Sequence, residues 1–249
     1  MSDQTSTKIP FEIEELLARS HLYQILAFLF RHPSAAQSGF SMKEELPHWR
    51  EAVDKVRLPE KIRFKGAFKR LVRTLQKTSP PEWIRQFEFC FGHTVQGPVP
   101  NYELEYGEEH THRQPQQLGD ITAFYHAFGL QVKTMVHERA DHISVECEFL
   151  GYLLYKEAYA SQNDGEEKAL ICREAARRFL SEHLGCWLPS FSAKLAKVAG
   201  QGLMKEAADF ALTFILQDCQ KSGISPGPAD LPVRIVQTNE DSGCVTCPR

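Results

Sequence analysis

Hydrophobic positions recur with a helical period along most of the chain. Leu22, Ile25, Leu26 and Leu29 fall at i, i+3, i+4 and i+7, one face of a helix expected over residues 11–30. Pro33 and Gly39 break that run. Ser41 and Glu44 have the capping-box spacing and predict a second helix start, with Pro47 in its first turns. Phe64, Phe68, Leu71 and Leu75 place a helix over residues 60–76, with Lys and Arg on its other face. Ser79 followed by Pro80 and Pro81 is an N-cap with prolines suited to a first turn, opening a short aromatic-rich helix that ends at Phe91. Further helices are expected at 118–130, 140–161, 166–184, 186–199 and 203–221. The last carries the inward stripe Leu203, Ala207, Phe210, Ala211, Phe214 and Ile215.

Two stretches lose the period. Residues 92–115 are punctuated by Gly97, Pro98, Pro100 and Gly107, and loops beyond about 12–15 residues are usually functional or disordered. From Ser222 onward four of the 14 prolines fall in the last 28 residues, which predicts an extended or disordered appendage. Residues 233–236 are the one short β-like run. The expectation is an all-α, single-domain bundle of nine to eleven helices: a flexible N-terminus (1–10), a helical domain (11–221) with a long central loop, and a tail (222–249).

Composition narrows the class. Apolar residues make up 42% and charged residues 24%, as in ordinary globular proteins, so disorder of the whole chain and fibrous classes are excluded. A net charge of -3 offers no basic excess for nucleic acid. The longest uncharged apolar stretch, 22–30, falls short of the ~20 residues of a membrane-spanning helix. The N-terminal stretch carries acids early and lacks the basic and apolar regions of a secretory signal. Seven cysteines, an odd number mostly within apolar helical patterns, suggest reduced thiols and a cytoplasmic protein. Phosphate-loop, dinucleotide, nucleophile-elbow and zinc-protease motifs are absent, which lowers the expectation of catalysis.

Three segments carry candidate chemistry. Between Asn101 and His112 the loop holds Glu103, Glu105, Glu108 and Glu109 and no Lys or Arg, a local charge of about -4. Tyr102 and Tyr106 lie among the acids, and Pro98 and Pro100 stiffen the approach. Such a loop suits a basic, partly apolar peptide, or is a solvated acidic loop. In the second segment Glu138, His142 and Glu146 are spaced by four on one helical stripe, Asp141 and Glu148 form another, and Ile143, Cys147, Leu150 and Leu154 give a buried face. This is either a carboxylate–histidine metal site or a histidine oriented by its neighbours. Glu109 and His112 share the Glu-x-x-His spacing of di-iron bundles but lie in the loop, near His93 and His110. The third segment is Cys244-Val-Thr-Cys247: a reactive tail, or a metal or redox pair completed by a partner.

Three blocks together resemble the TorD/DmsD/NarJ family of redox-enzyme maturation chaperones. FEFCFGHTVQGPVPNYELEY (87–106) is similar to the family's aromatic helix end, Pro-rich segment and aromatic–acid stretch, with Cys90-Phe91 where Leu-Phe is usual. ADHISVECEFLGYLL (140–154) is similar to its Asp-His helix, and FLSEHLGCWLPSFSAKL (179–195) to its Glu-His-Leu-x-x-Trp segment. Val99-Pro100-Asn101-Tyr102 departs from the usual Pro-Pro or Pro-aromatic pairings, and the Cys-x-x-Cys tail lies outside the common pattern. The resemblance implies a cytoplasmic, non-catalytic chaperone with no permanent cofactor. Such a protein binds the N-terminal segment, twin-arginine or equivalent, of a molybdoenzyme catalytic subunit of the DMSO reductase type. It holds that subunit until molybdopterin guanine dinucleotide is inserted. By position, Phe91, Pro98, Pro100, Tyr102, Glu103, Glu105 and Tyr106 would line a peptide groove, with Asp141, His142 and Glu146 beside it. Trp187 and Pro189 would be structural. The client's basic part would meet Glu103, Glu105 and Asp141, and its apolar part Phe91, Tyr102 and Tyr106. The alternatives are an all-α metal protein or enzyme using His142, Glu146, Glu109 and His112, or a structural subunit of a redox complex docking through Cys244 and Cys247. Helix exchange across the long loop would give a homodimer.

Overall fold

The computed structural model describes residues 10–36, 41–92, 97–107, 114–132 and 138–234. Among these the helices are α1 (Phe11–Phe30), α2 (Pro33–Ala36), α3 (Met42–Lys55), α4 (Lys61–Leu75), α5 (Pro80–Phe91), α6 (Gln114–Ala127), α7 (Ile143–Asn163), α8 (Glu166–Glu182), α9 (Leu184–Ala199) and α10 (Leu203–Lys221). Extended pairing among the described residues is limited to two isolated antiparallel bridges, Tyr102 with His142 and Tyr106 with Val233. The all-α expectation therefore holds. No helix among the described residues is long and apolar enough to cross a membrane.

Local chemistry sets the helix ends. Ser79 accepts a hydrogen bond from the Glu82 N–H with Pro80 at the first helical position, as its sequence predicts. Ser41 precedes α3 but its side chain makes no capping bond, so the capping box is not formed. The helix expected from residue 140 starts at Ile143, because His142 adopts extended backbone and caps it with its side chain. Glu138 and His142 are therefore not on the helical stripe expected for them with Glu146. Between α8 and α9 the chain breaks at His183, and a Cβ at Gly185 would overlap the Leu180 carbonyl oxygen, so glycine is needed at that crossing.

α7 runs along α1, and α10 packs on α9 and α4. Gly151 lets α7 approach α1 closely enough for Ser20 Oγ to donate to the Gly151 carbonyl at 2.7 Å. Phe64 stacks on Phe210 at 5.2 Å between ring centroids, and Tyr23 meets Phe214 edge-on at 4.9 Å. Each such buried aromatic contributes about 1.5–3 kcal/mol relative to exposure. One buried polar tie crosses this core. Arg19 Nε and Nη2 donate to the two Asp218 oxygens at 2.7 and 3.1 Å, and Tyr23 OH donates to Asp218 Oδ2 at 2.7 Å.

The segment after α10 corrects the expectation of an appendage. Ile224 is buried, and Gly227 N–H donates to the Gly185 carbonyl at 2.9 Å. A Cβ at Gly227 would overlap the Cys186 carbonyl oxygen, so only glycine lets the backbone lie this close to α9. Ser190 Oγ donates to the Pro228 carbonyl at 2.8 Å and accepts from the Leu231 N–H at 2.7 Å. Residues 222–234 thus form a strap across α9, extended as predicted but packed. The strap has no hydrogen-bonding strand of its own length, so its composition gives no signal that α9 holds it. Cys244 and Cys247 lie outside the described residues.

Candidate functional site

The central loop folds back on the helix that precedes it. A Cβ at Gly97 would overlap the Phe91 carbonyl, and Val99 N–H donates to the Cys90 carbonyl at 2.9 Å. Asn101 carbonyl then accepts from the Ile143 N–H and Glu103 N–H donates to the Asp141 carbonyl, both at 2.9 Å. A 3-10 turn spans Glu103–Glu105. Tyr106 OH donates to the Pro100 carbonyl at 2.8 Å and closes the loop on itself. The first amides of α7 lack partners within the helix. Here the loop backbone takes the Ile143 N–H, and His142 Nδ1 takes the Ser144 N–H at 3.2 Å.

Charge is concentrated at this junction and paired internally. Asp141 is fully buried. It accepts from Arg139 Nη2 at 2.6 Å and Nε at 2.9 Å, and from the Leu104 N–H at 3.2 Å. Burial raises the Asp141 carboxyl above its usual range, while Arg139 and the Leu104 N–H oppose the rise. Arg139 also reaches Glu105 Oε1 at 3.4 Å and lies over the Tyr102 ring, 4.6 Å from its centroid. Tyr102 OH donates to Glu138 at 3.1 Å. Burial first, then Arg31 and Arg139, push the His142 imidazole down to about 3, so it is neutral at pH 7. Its Nδ1 also lies 2.8 Å from Ser144 Oγ, and its Nε2 lies 2.8 Å from Asn101 Nδ2 and 3.6 Å from the Glu138 carboxylate.

One turn further along α7, Glu146 is fully buried and accepts from Trp187 Nε1 at 3.0 Å. Burial and then the neighbouring Glu103 carboxylate hold it well above the usual carboxylate range. Its Oε1 has no hydrogen-bond partner. Glu103 in turn lies 3.1 Å from His183 Nδ1.

The structure thus brings Tyr102, Glu103, Glu105, Tyr106, Asp141, His142 and Glu146 into one cluster at the start of α7. Phe91 joins from below, through Phe191 at 6.0 Å and Trp187, which meets Tyr106 at 5.3 Å. Pro100 enters through its carbonyl, whereas Pro98 is exposed. The segment 97–107 is not the solvated acidic loop that composition alone allows. Most of its side chains face inward, and the three acids expected to receive a cation already have internal partners: Asp141 and Glu105 with Arg139, Glu103 with His183. Arg139, Asn101, Ser144 and His183 are further members of this cluster that spacing did not single out. Arg139 had a local signal, being two residues before Asp141. His183 had none beyond its place in a resembling block. Glu108, Glu109, His110, His112 and His93 lie outside the described residues. Among those described, no group of three or more His, Cys, Asp or Glu is arranged to hold a metal ion.

Comparison with known proteins gives consistent matches. A family model described as nitrate reductase delta subunit matches residues 60–193. Chaperone protein TorD of Vibrio cholerae serotype O1 is 33% identical over 103 residues, 41% of this chain and 44% of that protein, so this chain matches less than half of that relative's length. The perchlorate reductase assembly chaperone protein of Dechloromonas aromatica is 29% identical over 194 residues, 76% of this chain and 83% of that protein. The selenate reductase assembly chaperone protein of Thauera selenatis is 40% identical over 78 residues, 31% of this chain and 39% of that protein.

Proposed function

From its membership of the nitrate reductase delta subunit family, to which this chain belongs, we propose that it is a system-specific maturation chaperone for the catalytic subunit of a molybdoenzyme. The observation that carries this reading is that the family match, residues 60–193, contains the whole buried junction between the loop 97–107 and the start of α7. Curated relatives with matches in the chain are named chaperones or reductase assembly chaperones. The protein binds the client's N-terminal segment, twin-arginine or equivalent, in the cytoplasm. It keeps the client in an acceptor state while molybdopterin guanine dinucleotide is inserted, and it carries out no bond chemistry itself. Phe91, Pro98, Pro100, Tyr102, Glu103, Glu105 and Tyr106, with Asp141, His142 and Glu146, are the residues proposed to form or support the client site.

The internal pairing of the acids bears on mechanism. A client guanidinium entering here exchanges with Arg139 for Asp141 and Glu105 rather than meeting bare carboxylates. Exchange of one fork for another keeps every carboxylate oxygen satisfied, which favours selectivity over raw affinity. Asp141, held by the Leu104 N–H as well as by Arg139, is the fixed member of the set, and the partly exposed Arg139 is the mobile one. The test is affinity capture of the full chain from its native host, with mass spectrometry of partners and molybdenum analysis of the same sample. A molybdoenzyme catalytic subunit recovered without molybdenum supports the proposal. Recovery of no such subunit, or only of the mature molybdenum-loaded enzyme in fixed stoichiometry, overturns it.

A further inference from the structure

The segment 101–107 has two backbone edges. One is committed to the fold, through Glu103 N–H to the Asp141 carbonyl and Ile143 N–H to the Asn101 carbonyl. The other is met by the chain's own strap. Gly107 N–H donates to the Pro232 carbonyl at 2.8 Å, Arg234 N–H donates to the Glu105 carbonyl at 2.9 Å, and Val233 bridges antiparallel to Tyr106.

The two halves of the strap are held unequally. Up to residue 231 it is anchored on α9 through Gly227, Pro228 and Leu231. Beyond that it meets the loop through the two backbone hydrogen bonds, with Val233 half-buried against the core beside Tyr106. Pro232 is exposed, and the Arg234 Nε and Nη1 atoms are buried with no hydrogen-bond partner. Among the described residues this guanidinium has no ion pair and is a poorly fitted occupant, because buried unsatisfied donors oppose docking. Its chemistry is nevertheless that of the site: an extended backbone, a β-branched residue and an arginine.

We infer that the Glu105–Gly107 edge is a docking site for an extended peptide that carries an arginine next to an apolar residue. The segment Pro232–Arg234 fills this edge as an internal placeholder, which the client's N-terminal segment displaces by strand addition. The naming of the competitor rests on the function proposed above; the edge and its internal occupant do not. Tethering gives the placeholder a millimolar-range effective concentration, so a free peptide must outcompete it.

The test uses the full chain with Arg234→Pro. This change removes both the amide donor and the guanidinium, and it leaves Val233 in the extended region that precedes proline. The probe is a labelled synthetic peptide of residues 229–238. It is expected to bind R234P at least about tenfold more tightly than the unaltered chain. Equal affinity for both proteins, or no binding to R234P with helical content unchanged, overturns the proposal. Should R234P fail to fold, hydrogen exchange on the unaltered chain decides. Excess peptide is expected to release the Arg234 amide while the Gly107 amide stays protected, and continued protection of both overturns the proposal. An unlabelled peptide with two adjacent arginines followed by apolar residues is expected to displace the probe. Failure to displace it removes the client from this edge while leaving the capture result untouched.

Discussion

The Arg139–Asp141 pair makes a quantitative prediction about what the junction contributes to folding. Asp141 has no exposed surface and three hydrogen-bond donors, two from Arg139 and one from the Leu104 backbone. Removing one member of a buried ion pair typically costs 3–5 kcal/mol, because the other is left charged and unpaired. The two members are not equivalent here. The Arg139 side chain keeps 34% of its surface and a second carboxylate, Glu105 at 3.4 Å. Asp141→Ala should therefore fall below that range, at about 2–3 kcal/mol after allowance for solvent screening of the arginine. Arg139→Ala leaves the fully buried Asp141 with the Leu104 N–H alone, and should reach about 3–5 kcal/mol near pH 8. The two variants also differ in pH dependence. Without Arg139 the Asp141 carboxyl is raised further in the folded state, so the folded protein holds a proton that the unfolded chain releases near the ordinary carboxylate value. The stability of R139A is then greatest in mild acid and falls as pH rises through the folded value. Urea unfolding followed by far-UV circular dichroism at pH 5, 7 and 8 reads both effects. A loss below about 0.5 kcal/mol for Asp141→Ala, within the range of ordinary surface changes, refutes the reasoning. So does an R139A deficit that does not grow with pH.

Other predictions follow from the same geometry. Glu146 has a raised folded value, so its contribution is full below the unfolded carboxylate value and is lost as pH rises; Glu146→Gln should unfold later than the unaltered protein at pH 8 and show a flatter stability–pH profile, read by urea titration. His142 is lowered to about 3 in the fold, so the unfolded chain takes up a proton first as pH falls below about 6.5. The resulting loss approaches about 1.4 kcal/mol per pH unit, and His142→Asn, which keeps a capping side chain, should remove that component of the slope. Gly227→Ala should lift the strap from α9, seen as faster exchange of the Leu231 amide with helical circular dichroism unchanged. Arg19→Ala leaves Asp218 buried beside Tyr23 and should lower stability by about 3–5 kcal/mol, measured by urea unfolding.

The helices were legible in the sequence because they depend on a period that short windows contain. α4, α5 and α10 lie within a residue or so of their expected limits, with Phe64, Phe68, Leu71 and Leu75 buried as the spacing requires. The start of α7 was not legible, because a neutral histidine acting as N-cap depends on burial and on the loop backbone that meets it. The candidate residues 102–106 and 141–146 were marked by residue type, yet their inward orientation was hidden. That orientation depends on Arg139 and His183 supplying partners from outside the acidic run, and on Gly97 allowing the turn back towards Phe91. The strap was hidden for a similar reason. Its fit depends on the one glycine that can pass Cys186, which composition registers only as part of a Pro- and Gly-bearing tail.

The most direct test of the central claim is cross-linking mass spectrometry on the captured complex, mapping which part of the client touches this chain. The account predicts cross-links from the client's N-terminal segment to residues 98–107 and 138–146, on a client that lacks molybdenum. Cross-links confined to the folded domains of a molybdenum-loaded client, with the junction untouched, would contradict it.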